Sequence, residues 1–191
     1  MTNYDKYSFS NKKVWIAGHN GMVGRAMQKR LIKENCEILT VNKDKLNLTN
    51  QHDTEKWISN IKPDVIIIAA ARVGGIKANM LNKYSFLYEN LMIQNNIINS
   101  ARYASLDKLV FLGSSCIYPK NVDQPIKEEF LLSGKLEDTN EGYALAKIVG
   151  LKLCQYYNEK YNKDFISIMP SNLYGPFDNF DPESSHVLGS L

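Results

Sequence analysis

Ser114, Ser115 and Cys116 follow directly on the apolar run from Leu109 to Leu112, and farther along Tyr143 and Lys147 stand four positions apart. Such a run reads as a buried parallel strand, and in open α/β sheets ligands collect at the carboxyl ends of these strands. Ser114 is therefore expected to point into a crevice. Tyr143 and Lys147 lie in a segment of helical composition, so their spacing puts both side chains on one helix face, one turn apart. A tyrosine near its free pKa of about 10 is a weak acid–base group, and a fixed ammonium beside it favours the phenolate, so Lys147 is expected to lower the phenol pKa. The chemistry this pair suits is proton transfer to a carbonyl oxygen. Spacing alone does not select it, because Tyr156 and Lys160 repeat it farther along the same helix. With no strand-end serine to match, that second pair reads as surface.

The elements that must position these groups alternate between strand and helix. After a leader over residues 1–12, expected to be frayed, Val14–Ala17 reads as a short buried strand, and Gly18-His19-Asn20-Gly21-Met22-Val23-Gly24 opens an amphipathic helix to about Asn35. Strand, glycine loop and helix N-terminus together form a dinucleotide-binding context: Gly18 for the tight turn, Gly21 for approach of a pyrophosphate, Gly24 for close helix packing. A second strand is expected at Ile38–Val41. At its tip Lys43 favours a 2′-phosphate, and Asp44 beside it partly cancels that charge.

A helix over Gln51–Ile61, capped by Thr49 or Asn50 and ended by Pro63, leads to a third buried strand, Val65–Ala70. The loop that follows, Ala71–Ile76, is one a cofactor could pass closely, or a plain turn. From Lys83 to Arg102 the periodicity predicts a long helix with Leu87, Leu91, Ile98 and Ala101 on its core or dimer face, and with Asn90, Asn95, Asn96 and Asn99 mostly solvated. The Tyr143 helix is expected to extend to about Tyr161, and the fifth strand, Asp164–Met169, ends in another loop, Pro170–Pro176. The fold class implied is α/β, a Rossmann-type doubly wound parallel sheet.

Composition limits the function classes. A chain of 191 residues suffices for one α/β domain with a core. A net charge of +3 and scattered lysines argue against nucleic acid or a membrane surface as partner. The three cysteines, Cys36, Cys116 and Cys154, lack metal-ligand spacing, so neither a disulfide nor a bound metal is expected. The polar N-terminus lacks a signal-peptide core and no apolar run is of membrane-spanning length, which gives the expectation of a cytoplasmic protein.

Taken in order, the glycine loop Gly18–Gly24, Val73-Gly74-Gly75-Ile76, Leu112-Gly113-Ser114-Ser115-Cys116-Ile117-Tyr118-Pro119, Tyr143-Ala144-Leu145-Ala146-Lys147 and Met169-Pro170-Ser171-Asn172-Leu173-Tyr174-Gly175-Pro176 resemble the extended short-chain dehydrogenase/reductase family. Within it, the likeness is to enzymes acting on GDP-4-keto-6-deoxy sugars, and Asp178-Asn179-Phe180 and Ser185-His186-Val187 extend it. The resemblance implies an NADPH-dependent epimerase/reductase. NADP(H) would be held by Gly18, Asn20, Gly21, Met22, Val23, Gly24, Lys43, Ala70, Lys147 and Pro170. Cys116 and His186 would be the acid–base pair that inverts the carbons flanking a C4 ketone, whose carbonyl acidifies their protons. Ser114 and Tyr143 would hydrogen-bond the enolate oxygen, Tyr143 would later protonate it, Lys147 would hold the nicotinamide ribose and tune Tyr143, and Ser114 and Asn172 would contact the sugar. Dehydration is not implied, because the acidic pair of sugar-nucleotide dehydratases is replaced here by Ser115 and Cys116.

Two departures stand out. The resemblance implies arginines where this chain has Asn20 and Lys43, and it implies a cofactor domain over 13–176 followed by a smaller C-terminal substrate lobe, of which 177–191 would be only the start. The rival readings are a GDP-heptose C4-reductase that does not epimerise, and a truncated dinucleotide-binding chain without turnover, with apolar surface left uncovered. A homodimer packed through the Lys83 and Tyr143 helices is the oligomer the resemblance implies.

Overall fold

The computed structural model describes residues 7–181. Five parallel strands, β1 (Lys13–Ala17), β2 (Glu37–Leu39), β3 (Val65–Ile68), β4 (Lys108–Leu112) and β5 (Phe165–Ile168), form one sheet in the order β2-β1-β3-β4-β5. The order reverses between β1 and β3, so their carboxyl ends splay apart at a topological switch point, where Gly18 and Ala70 lie. Helix α1 (Met22–Leu31) covers one face, with Leu31 and Met27 packed on Val14, Ile16, Val65 and Ile67. Helices α2 (Gln51–Ile61), α4 (Lys83–Ala101) and α5 (Glu141–Tyr161) cover the other, where Ile58, Ile97, Ile98, Ala101 and Cys154 meet Trp15, Ile66, Ile68, Leu109 and Phe111. A short helix, α3 (Ile76–Leu81), precedes α4.

These elements form for local reasons. The strands are β-branched and apolar on both faces, as a doubly covered parallel sheet requires. Helix α2 starts where the Asn50 side chain accepts from the Asp53 amide. The chain before β1 is tied down from Tyr7 onward: Phe9 packs beside Val14 and Leu31, and the Tyr7 hydroxyl donates to Asp107. On the α1 side of β4 and β5, Ile166 and Ile168 remain exposed at 38% and 40%. Among the described residues no helix is long and apolar enough to cross a membrane.

The asparagines of α4 depart from the expectation of solvation. Asn90 and Asn96 are buried, as is Gln94, whereas Leu87 and Leu91 are only half-buried and Phe86 takes the core position instead. Each buried amide serves a backbone segment that has no sheet partner. Asn90 accepts from the Arg72 amide at 2.8 Å and donates to the Arg72 carbonyl at 3.0 Å, which fixes the loop after β3. Asn96 donates to the Leu48 carbonyl and Gln94 to that of Ala146. Asn90→Leu, of similar volume, orphans both Arg72 groups and is expected to lower stability by about 2–4 kcal/mol in urea unfolding. A solvated asparagine would change it by less than about 0.5 kcal/mol.

Candidate active site

Helix α5 reaches the end of β4 because its inner face is small. Ala144, Ala146 and Gly150 are buried, and a Cβ on Gly150 would stand 2.5 Å from Cζ of Phe111. That approach brings the Lys147 ammonium to the Leu112 carbonyl, to which it donates at 2.7 Å, and over the rings of Phe111 and Tyr143 at 4.8 and 5.5 Å. Ser114 caps a single 3-10 turn, Ser115–Ile117, by accepting from the Cys116 amide at 3.3 Å, which leaves its O–H free to donate. The Cys116 thiol accepts from Asn140 Nδ2 at 3.2 Å. Ser114, Cys116, Tyr143 and Lys147 thus gather at one strand end. His186 lies outside the described residues.

The electrostatics differ from the sequence expectation. Burial raises the Tyr143 phenol well above its ordinary value, and the nearby Cys116 adds to the rise. Lys147, itself pushed down to about 8 by burial, does not bring the phenol down. Desolvation outweighs the ammonium because both groups are taken from water together.

The glycine turn faces this cluster across the switch point. Gly18 has φ +87°, and a Cβ there would lie 2.5 Å from the Ala70 amide nitrogen; one on Gly24 would overlap the Gly18 carbonyl. Gly21 is exposed and begins α1 with no side-chain cap and no acidic residue in the first turn. The Met22 and Val23 amides therefore lie in an uncapped first turn, suited to an anion. These features fit a dinucleotide pyrophosphate. At the tip of β2, Asn20 Nδ2 donates to Asn42 Oδ1 at 3.0 Å, with Lys43 exposed next in sequence. Arg25, not singled out by the sequence pattern, donates to the Asn20 carbonyl at 2.9 Å and sits over the Phe177 ring. Pro170 accepts from the Ser115 amide, and Asn172 is exposed in the loop after β5. An open cleft of about 490 Å³ lies beside the Ser115–Ile117 turn and the end of β5, walled by Ser115, Tyr118, Glu128, Ile168, Met169 and Ser171.

Residues 14–191 match the profile of the NAD dependent epimerase/dehydratase family. The chain belongs to this family. Among epimerase/dehydratase relatives, it is 51% identical over 185 residues to a GDP-L-fucose synthase from Sinorhizobium fredii, covering 97% of this chain and 59% of that one. Of solved structures, a GDP-D-glycero-L-gluco-heptose synthase from Campylobacter jejuni, determined in the presence of NADPH, superposes with a TM-score of 0.90 at 39% identity, covering 94% of this chain and 53% of that one. A GDP-L-fucose synthetase from Naegleria fowleri bound to NADP gives 0.87 at 30% identity, covering all of this chain and 63% of that one. The chain thus spans little more than half the length of the relatives it matches. Like other members of the family it carries a parallel Rossmann-like sheet.

Lys147 links the site to stability. With its folded-state value near 8 against an ordinary 10.5, the folded chain binds fewer protons than the unfolded one between those values. Stability therefore rises with pH across that window, and below it the full cost of roughly 3 kcal/mol is present. Lys147→Met is expected to raise stability at pH 7 by about 1–2 kcal/mol, less than the full cost because the Leu112 carbonyl loses its donor. It is also expected to flatten the rise between pH 8 and 10. Urea titrations of both proteins across this range check it.

Proposed function

We propose that this protein binds NADP(H) and, as a GDP-L-fucose synthase does, acts on a GDP-4-keto-6-deoxy sugar as 3,5-epimerase and 4-reductase. The observation that carries this reading is the convergence of Ser114, Cys116, Tyr143 and Lys147 at the end of β4, opposite the glycine turn. NADPH, when bound, supplies the hydride for C4. Gly18, Gly21, Gly24 and the uncapped Met22 and Val23 amides would hold its pyrophosphate, Asn20, Asn42 and Lys43 its 2′-phosphate, and Ala70 and Pro170 would complete its site.

At the sugar, Ser114 donates to the C4 oxygen and so stabilises the enolate formed when a proton leaves C3 or C5. Cys116 is one member of the acid–base pair, and His186 is the second. Tyr143, kept protonated by burial, holds the proton that the C4 oxygen takes up on reduction, and Lys147 orients the cofactor ribose. Asn172, exposed in the loop after β5, contacts the sugar. The domain division is a cofactor-binding unit over 13–176, after a leader over 1–12, with the sequence from 177 leading into the substrate lobe. The protein works in the cytoplasm and as a homodimer, the dimer being supported by exposed Tyr84 and Tyr88 on α4 and by Leu145, Val149 and Tyr156 on α5.

A GDP-heptose C4-reductase that leaves C3 and C5 untouched is the second reading, favoured by the heptose synthase among the structural neighbours. Fluorescence titration is expected to show tighter binding of NADPH than of NADH. NADPH oxidation with a GDP-4-keto-6-deoxyhexose, followed by NMR of the product, is expected to show inversion at C3 and C5. A product reduced at C4 alone establishes the second reading, and failure to bind either nucleotide removes both. Tyr143→Phe is expected to abolish NADPH oxidation while cofactor affinity stays within about twofold, since the phenol acts on the sugar oxygen. Cys116→Ser is expected to impair inversion more than reduction.

A further inference from the structure

We infer that Asn140 is a positioning residue for Cys116, holding its sulfur in place and stabilising the thiolate through an amide N–H. The inference rests on the reading of Cys116 as an acid–base group. Asn140 stands at the N-cap of α5, where an asparagine side chain ordinarily accepts from the first-turn amides. Here it makes no such cap bond, and only its backbone carbonyl serves the helix, accepting from the Ala144 amide at 3.0 Å. The side chain turns away, donating from Nδ2 to Cys116 Sγ at 3.2 Å. Its Oδ1 is buried without a partner among the described residues, so the helix start goes uncapped and a second polar atom is desolvated to keep this contact. Those costs are offset where the contact serves the site rather than the fold.

The chemistry of the amide matches the task. A sulfur that takes a proton from carbon and returns one must exist in turn as thiolate and thiol. An amide gives the thiolate a donor and, turned over, gives the thiol an acceptor, whereas a carboxylate would oppose the thiolate and an alkyl group would serve neither form. The ionisable neighbour, Tyr143, stays protonated because burial, and secondarily Cys116 itself, raise its phenol. The Lys147 ammonium is engaged by the Leu112 carbonyl, so the Asn140 amide is the dipole aimed at sulfur.

The test needs neither cofactor nor substrate, which separates its failure from that of the proposed function. Alkylation of Cys116 by iodoacetamide is followed by peptide mass spectrometry at pH 7 and pH 10, with Cys36 as internal reference. Asn140→Ala is expected to slow alkylation at pH 7 by about three- to tenfold and to converge on the wild-type rate at pH 10, because the amide acts through the charge on sulfur and not through access to it. Asn140→Asp, which keeps a helix-capping side chain and so guards against a folding defect, is expected to slow it further at pH 7. Unchanged rates at pH 7, or rates altered equally at both pH values, overturn the inference, since the second outcome reports access to the sulfur and not its charge. If NADPH fails to bind but the alkylation pattern holds, the proposed function falls and the Asn140–Cys116 coupling stands.

Discussion

Everything at this site depends on how closely α5 lies against the end of β4. A lysine ammonium buried beneath a helix needs an acceptor within hydrogen-bond reach, and the one available is a main-chain carbonyl, that of Leu112, freed because β4 ends there. Reaching it requires that Gly150 present no side chain to Phe111 of the sheet, and that α4 accept α5 closely enough for Gln94 to donate to the Ala146 carbonyl. The same docking sets Tyr143 one turn earlier, above the Ser114–Cys116 turn. The absence of a side chain at Gly150 therefore governs how near Tyr143 and Lys147 come to the turn that carries Ser114 and Cys116.

Burying Tyr143 and Lys147 together has an electrostatic result that the pair's spacing does not convey. A phenol and an amine removed from water both resist ionisation, the phenol shifting upward and the ammonium downward. A tyrosine in that condition begins as an acid and not as a base. Reduction of a ketone calls for a proton delivered to oxygen; the buried phenol holds that proton and would give it up only as negative charge builds on the more basic ketone oxygen. The cost is carried by the fold, in an ammonium whose pKa burial pulls down to about 8.

Much of the architecture was legible because strands and caps are local. The run Val65–Ile68 is β-branched throughout, and α2 begins and ends as its Asn50 cap and Pro63 require. Six-residue α3 was not legible, being too short to show a period. The buried asparagines of α4 were misread because polarity was equated with exposure, while their partners, Arg72 and Leu48, lie 18 and 48 residues away in sequence. Asn140 escaped for the same reason: its position announces a helix start, but its side chain is committed to a sulfur 24 residues upstream. Contacts of that separation are made by the fold and leave no periodic trace.

Cofactor preference illustrates how a family pattern and a particular chain diverge. Where the resemblance implies two guanidiniums, this chain sets Asn20 against Asn42, amide to amide, and leaves Lys43 as the formal charge at the β2 tip. Hydrogen bonds to a charged group are worth about 1.5–3 kcal/mol net and neutral ones about 0.5–1.5, so replacing planar forks by an amide pair removes part of the discrimination between a 2′-phosphate and a hydroxyl. The Asn20–Asn42 bond must also open, or turn its free N–H groups outward, before either amide can donate to a phosphate. What remains favouring the phosphate is an exposed ammonium screened by salt, together with a helix N-terminus that recognises the pyrophosphate common to both cofactors. On these grounds the proposed preference for NADP(H) would rest on Lys43 and be narrower and more sensitive to ionic strength than an arginine pair would make it.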